Sequence, residues 1–169
     1  PAGGMIMIAG WLILAAAVAA FLAMAAAVPV MGGTIYANPG DDLRSRINAM
    51  NAGDTLILNP GTYTYSGATM MIMTNKVGNA NAWFTIKALQ PGTVVIKGNS
   101  GRNICEMRNS AYWKFQNLEL DGQGLAGDGI KCTINTGIPD TDWNHDIVMD
   151  NLNIHHVTNA CINTQVTVW

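Results

Sequence analysis

The sequence predicts an all-β chain wound as a right-handed parallel β-helix, a solenoid with a short N-terminal capping helix and an apolar helical leader before it. Three observations lead there. One short amphipathic helix signal stands near the start of the polar part of the chain. Beyond Thr69 only short β-type runs occur, separated by Gly, Asn, Asp and Pro. Three of those segments align with one another as internal repeats.

The leader comes first. From Met5 to Met31 no residue is charged, and Ala, Ile, Leu, Val and Met dominate. Two readings fit. A secretory signal peptide combines an apolar stretch with small residues at the cleavage point, and Ala25-Ala26-Ala27 before Val28 supplies them. A membrane-spanning helix needs about 20 apolar residues, and this run is long enough. No Lys or Arg precedes the run, and the chain opens on Pro1. The abundance of Ala in its last third favours cleavage. Either reading exports the polar remainder of the chain to the periplasm, the cell surface or the medium, with membrane contact only through residues 5–31 if they are retained. The expected division is a leader over 1–31, a cap with the first strands over 32–68, and β-helix turns over 69–169.

Thr34-Ile35-Tyr36-Ala37 is a strand by composition, and Asn38-Pro39-Gly40 is a turn. Asp41 or Asp42 then caps a helix in which Leu43, Ile47 and Met50 share one face, with Arg44, Arg46 and Asn48 opposite. Gly53 ends it. Thr55-Leu56-Ile57-Leu58 is the next strand, stopped by Asn59-Pro60-Gly61.

The aligned segments run from Trp83 to Gly98, from Tyr112 to Gly122 and from Asp146 to His156. In the last two, Trp113 matches Ile147, Phe115 matches Met149, Asn117 matches Asn151, Leu118 matches Leu152 and Leu120 matches Ile154. Phe84, Ile86, Val94 and Ile96 fill the corresponding apolar places in the first. Each unit is an apolar alternation, a bend at Asn, and a second alternation. Lys97, Asp121 and His155 occupy equivalent positions. Such a unit buries its apolar alternates only against its neighbours, as a coil of stacked strands requires. Lys114, Glu119, Lys131 and Asn153 are the outward alternates. A β-sandwich would explain the alternation but not the aligned Asn bends.

Each unit ends in a third strand, and these hold Cys105, Cys132 and Cys161. Their odd number implies no complete disulfide framework, and their spacing has no zinc-site pattern. They act as small core residues, unless a pair meets in neighbouring turns. Net charge is −2, only 12% of residues are charged, and the nine basic residues are scattered, which excludes a nucleic-acid footprint. No P-loop, GxSxG, HExxH or GxGxxG element is present.

The stretch IYANPGDDLRSRINAMNAGDTLILNPGTY resembles the opening of extracellular pectate-lyase-like (pectin lyase-like) β-helix proteins. Gly53-Asp54-Thr55 and Pro60-Gly61-Thr62-Tyr63 carry the likeness. FTIKALQPGTVVIKG is similar to the next turn in those proteins, with Lys97 where Asp is frequent. The resemblance spans roughly Thr34 to Trp169 and speaks to fold more than to activity. It implies an acidic polysaccharide bound along one strand face and, for the lyases, a Lys or Arg base with carboxylates holding Ca2+. A uronate carboxylate must be neutralised before the adjoining proton can be taken, and Ca2+ prefers several oxygen ligands.

The candidate constellation is Asp121, Asp128, Lys131, Asp146, Asp150, His155 and His156. Lys131 and His155 are the candidate bases, and Asp121, Asp128 and Asp150 the candidate Ca2+ ligands. Trp143, Lys97 and His156 are placed against substrate. Each has a plainer alternative: Asp121 and Asp128 precede glycines as turn residues, and Lys131 is a solvated strand residue. Strand alternation sends His155 and His156 to opposite sides, so they should not act together. Two functions stay open: a monomeric extracellular polysaccharide lyase or hydrolase, or a non-catalytic glycan-binding or adhesive β-helix. A cap is legible at one end only, and the chain stops inside a strand-like run, VTVW. The expectation is therefore a C-terminally incomplete coil with its active centre largely beyond it.

Overall fold

Alternating apolar and polar residues in runs of three to six give each strand one face that must leave water. A computed structural model describes residues 32–66, 69–133 and 144–164. In it the strands solve that problem by coiling. The first sheet holds β1 (Thr34–Ala37), β2 (Thr55–Leu58), β5 (Phe84–Ala88), β8 (Ala111–Gln116) and β11 (His145–Asp150) in that order. The second holds β3 (Gly61–Tyr63), β6 (Val94–Lys97), β9 (Glu119–Asp121) and β12 (Asn153–His155). The third holds β4 (Met71–Thr74), β7 (Cys105–Arg108), β10 (Ile130–Thr133) and β13 (Ile162–Thr164). All neighbours pair in parallel, so the described residues form a parallel β-solenoid.

Register fixes which side chains stack. Phe84, Trp113 and Ile147 lie in one inward row, and Leu56, Ile86, Phe115 and Met149 in the next. Tyr63, Ile96, Leu120 and Ile154 form the row of the second sheet. The repeat alignment read from the sequence is this register. Phe84 stacks on Trp113 with ring centroids 4.5 Å apart and planes 12° from parallel. In the last described turn Ile147, Met149, Leu152 and Ile154 are only half-buried against this core.

The turns between sheets belong to asparagine. Asn117 and Asn151 have φ of 60° and 50°, a left-handed conformation Asn tolerates better than most residues. Asn151 donates its amide to Asn117 Oδ1 at 2.8 Å. A second step of the same kind joins Asn109 to Asn75 at 3.0 Å. Two strands carry no clear signal in the sequence. β3 starts inside the Pro60-Gly61 turn, where Tyr63 OH lies 2.9 Å from Ala37 O and 2.8 Å from Asn59 O. β4 is the other.

The cap is α1 (Leu43–Ala49), which buries Leu43 and Ile47, with Met50 behind them. Asp42 is its N-cap and accepts from Arg44 N at 3.0 Å and from the Ser45 hydroxyl at 2.7 Å. The Ser45 hydrogen bond holds the Asp42 carboxyl below its ordinary value of 3.8. A depressed carboxylate pKa adds stability that is present above the ordinary value and lost as pH falls through the lowered one. Asp42→Ala should cost about 0.5–1 kcal/mol at neutral pH by capping precedent. In urea titrations that difference should shrink below pH 4.

Cys105 and Cys132 are buried and free, and Cys161 is exposed. In the register Cys105 faces Ile130 and Cys132 faces Met107, so the thiols do not stack directly. Burial pushes both buried thiols up, that of Cys105 well above its ordinary range. A thiolate is the reactive form. A disulfide reagent should therefore label Cys161 alone in the folded protein, and Cys105 and Cys132 only after unfolding. The apolar leader and Trp143 lie outside the described residues. Among the described residues no helix is long and apolar enough to cross a membrane.

Candidate functional site

The second sheet presents a row of unlike polar groups. Lys97 on β6 pairs in register with Asp121 on β9, and Asp121 with His155 on β12. Strand stacking brings together here what the sequence separates by 24 and 34 residues. Glu119 and Asp121 project from the same face of β9, being two residues apart. His155 Nε2 lies 3.1 Å from Glu119 Oε1, and its Nδ1 lies 3.6 Å from Asp121 Oδ1.

His156 does not obey the alternation expected of it. Its φ is 52°, so the chain leaves the extended conformation at that residue and the imidazole swings back over the His155 side. His156 Nδ1 lies 3.1 Å from Asp121 Oδ1 and 2.7 Å from His155 Nδ1. The two histidines thus act on one face, and the opposite-side expectation fails because alternation holds only while φ stays negative. Gly122 makes this possible: its N–H donates to His155 O at 2.9 Å, and a Cβ there would stand 2.4 Å from His156 O. The Asp121 carboxyl is held below its ordinary value, first by the Gln123 N–H and then by His156 and His155.

The other candidate residues lie elsewhere. Asp128 is buried between the second and third sheets and accepts from Asn159 Nδ2 at 2.6 Å, Ala160 N at 3.2 Å and Asn163 Nδ2 at 3.2 Å. Lys131 stands on the third sheet, in register with Glu106 and Asn163. Asp150 ends β11 on the first sheet and accepts from Gln116 Nε2 at 3.1 Å. Asp146 is exposed and contacts its neighbour His145 at 2.7 Å. The structure therefore does not assemble Asp121, Asp128 and Asp150 into an oxygen cage. These residues do not fit Ca2+, which needs six to eight converging oxygens.

Sequence reasoning also missed an aromatic patch on the first sheet. Trp83 meets Tyr112 edge-on at 5.3 Å, Tyr112 meets His145 at 5.4 Å, and Lys114 Nζ sits 4.6 Å from the Trp83 ring. Only neighbouring strands reveal it, because Trp83 precedes its strand and carries no periodic signal.

A parallel β-solenoid carrying a Lys–Asp–His row is what fold and site define. No protein-family model matches the chain, and no curated protein matches it significantly. Solved structures do. A mutant of the PL6 family alginate lyase AlyGC superposes with a TM-score of 0.53 at 23% identity, over 72% of this chain and 15% of that one. AlyGC itself gives 0.50 at 14% identity, over 71% and 15%. A mannuronic acid specific polysaccharide family 6 lyase from human gut microbiota gives 0.46 at 14% identity, over 78% and 37%. The likeness is one of fold, and the chain spans about 15% of the length of the AlyGC structures.

Proposed function

We propose that this chain is part of an extracellular protein that acts on acidic polysaccharide, a lyase of uronate polymers whose active centre lies largely beyond these residues. The observation that carries the proposal is the outward row Lys97, Asp121 and His155 on one sheet face. It offers a cation for a uronate carboxylate and a row of hydrogen-bonding groups at the ~4.8 Å strand spacing. The Trp83–Tyr112–Lys114 patch adds an aromatic face beside a cation. Similarity of fold to an alginate lyase supports the choice of substrate class.

The test is to incubate the full-length natural protein with alginate and with polygalacturonate, Ca2+ present, and monitor the absorbance of unsaturated products. Product is expected on at least one uronate polymer, and little or none from residues 28–169 alone. A folded full-length protein that releases no product from any uronate polymer would end the lyase proposal. Retention on immobilised alginate without product would favour a glycan-binding β-helix instead. Residues 1–31 fused to a reporter should direct its export.

A further inference from the structure

We propose that Asp121, His155 and His156 form a binding site for a borderline divalent transition metal ion, with Zn2+ as the type case. Asp121 Oδ1, His155 Nδ1 and His156 Nδ1 form a triangle with sides of 2.7, 3.1 and 3.6 Å. Ligand atoms on a tetrahedral ion with bonds of about 2.0–2.2 Å lie about 3.3–3.6 Å from one another. The triangle thus needs to open by about 0.6 Å along its shortest edge and about 0.2 Å along the next. A point about 2.05 Å from all three atoms lies about 0.9 Å above its plane, close to the tetrahedral position.

The surroundings fit as well. His155 turns its other ring nitrogen to Glu119 Oε1 at 3.1 Å, the carboxylate–imidazole support that orients a ligating histidine and raises its basicity. Asp121 Oδ1 is oriented in turn by the Gln123 N–H at 2.9 Å. Two imidazoles and one carboxylate suit Zn2+, Cu2+ or Ni2+ and suit Ca2+ poorly. Three protein ligands leave a fourth position, on the side where the His156 ring is 70% exposed, for water. Without an ion, two imidazole nitrogens 2.7 Å apart must share one proton between them. A metal ion in place of that proton would be bound by both nitrogens. This inference does not rest on the polysaccharide proposal, because the same three atoms would bind metal whatever the solenoid acts upon.

The experiment is a calorimetric titration of the whole chain with Zn2+, in a Cys161→Ser background so that the exposed thiol contributes nothing. One ion per chain is expected. His156→Asn keeps a residue that tolerates the left-handed backbone, and Asp121→Asn keeps an acceptor for Gln123 N–H, so both should fold, as urea midpoints would verify. Each should weaken Zn2+ binding by roughly a hundredfold, and Glu119→Gln by about tenfold. His145→Ala, on the first sheet, should bind like the parent. Co2+ should give the intense visible absorption of a tetrahedral complex in the parent and lose it in His156→Asn. No stoichiometric uptake by the folded parent would overturn the site, as would unchanged affinity in either His156→Asn or Asp121→Asn. Displacement of Zn2+ by a modest excess of Ca2+ would overturn the choice of metal.

Discussion

Trp113→Ala is expected to lower stability by about 3–5 kcal/mol, the range for truncating a buried aromatic side chain. Trp113 is fully buried at the centre of the inward row of the first sheet. Its ring stacks on Phe84 and lies 6.1 Å from Phe115, so its loss opens a cavity shared by two turns. Its indole N–H donates to Lys76 O at 3.1 Å, and Lys76 Nζ donates to Met50 O at 2.7 Å just behind the capping helix. The change should therefore loosen cap and core together. Trp113→Phe keeps the stacking but strands part of that hydrogen bonding, and should cost about 1–2 kcal/mol. Urea unfolding monitored by far-UV circular dichroism measures both, and equal costs for Ala and Phe would show that stacking contributes little.

The second large effect is expected at Asp128. Its carboxylate collects donors from Asn159, Ala160 and Asn163 and so fastens the segment leading into β13 to the turn before β10. Asp128→Ala leaves those donors without their acceptor. Hydrogen bonds to a charged group contribute about 1.5–3 kcal/mol each. Asn159 is exposed and can turn to water, so a net loss of about 2–3 kcal/mol is expected, with Asp128→Asn recovering part of it. Hydrogen exchange should localise the loss to residues 158–164, and added Ca2+ should leave the stability of the parent unchanged. Stabilisation of the parent by Ca2+ that is absent in Asp128→Ala would return Asp128 to the role of a metal ligand.

Much of this fold was legible because a solenoid repeats its own constraints. The pairing of Trp113 with Ile147 and of Leu120 with Ile154 could be read as a sequence alignment, since each turn meets only its neighbours. The Lys97–Asp121–His155 row came from the same alignment. The helix could be read from the 3.6-residue spacing of its apolar face. β3 and β4 could not. β3 is three residues long and begins in a Pro-Gly turn, and β4 is a four-residue, methionine-rich run in a stretch without a matched repeat.

The site was legible in part, and the boundary is physical. Sequence by itself determined the repeating unit, the inward and outward faces, the Asn bends and the capping helix, because each is written in the spacing of apolar and polar residues within one short segment. Tertiary structure decided the rest. His156 joins His155 and Asp121 only because its backbone enters the left-handed region against Gly122, a close approach between successive turns. Asp128 becomes a buried acceptor rather than a surface ligand only because Asn159 and Asn163 arrive from the next turn. Both outcomes depend on where a loop of one turn lands on another, and no periodicity within one strand encodes that.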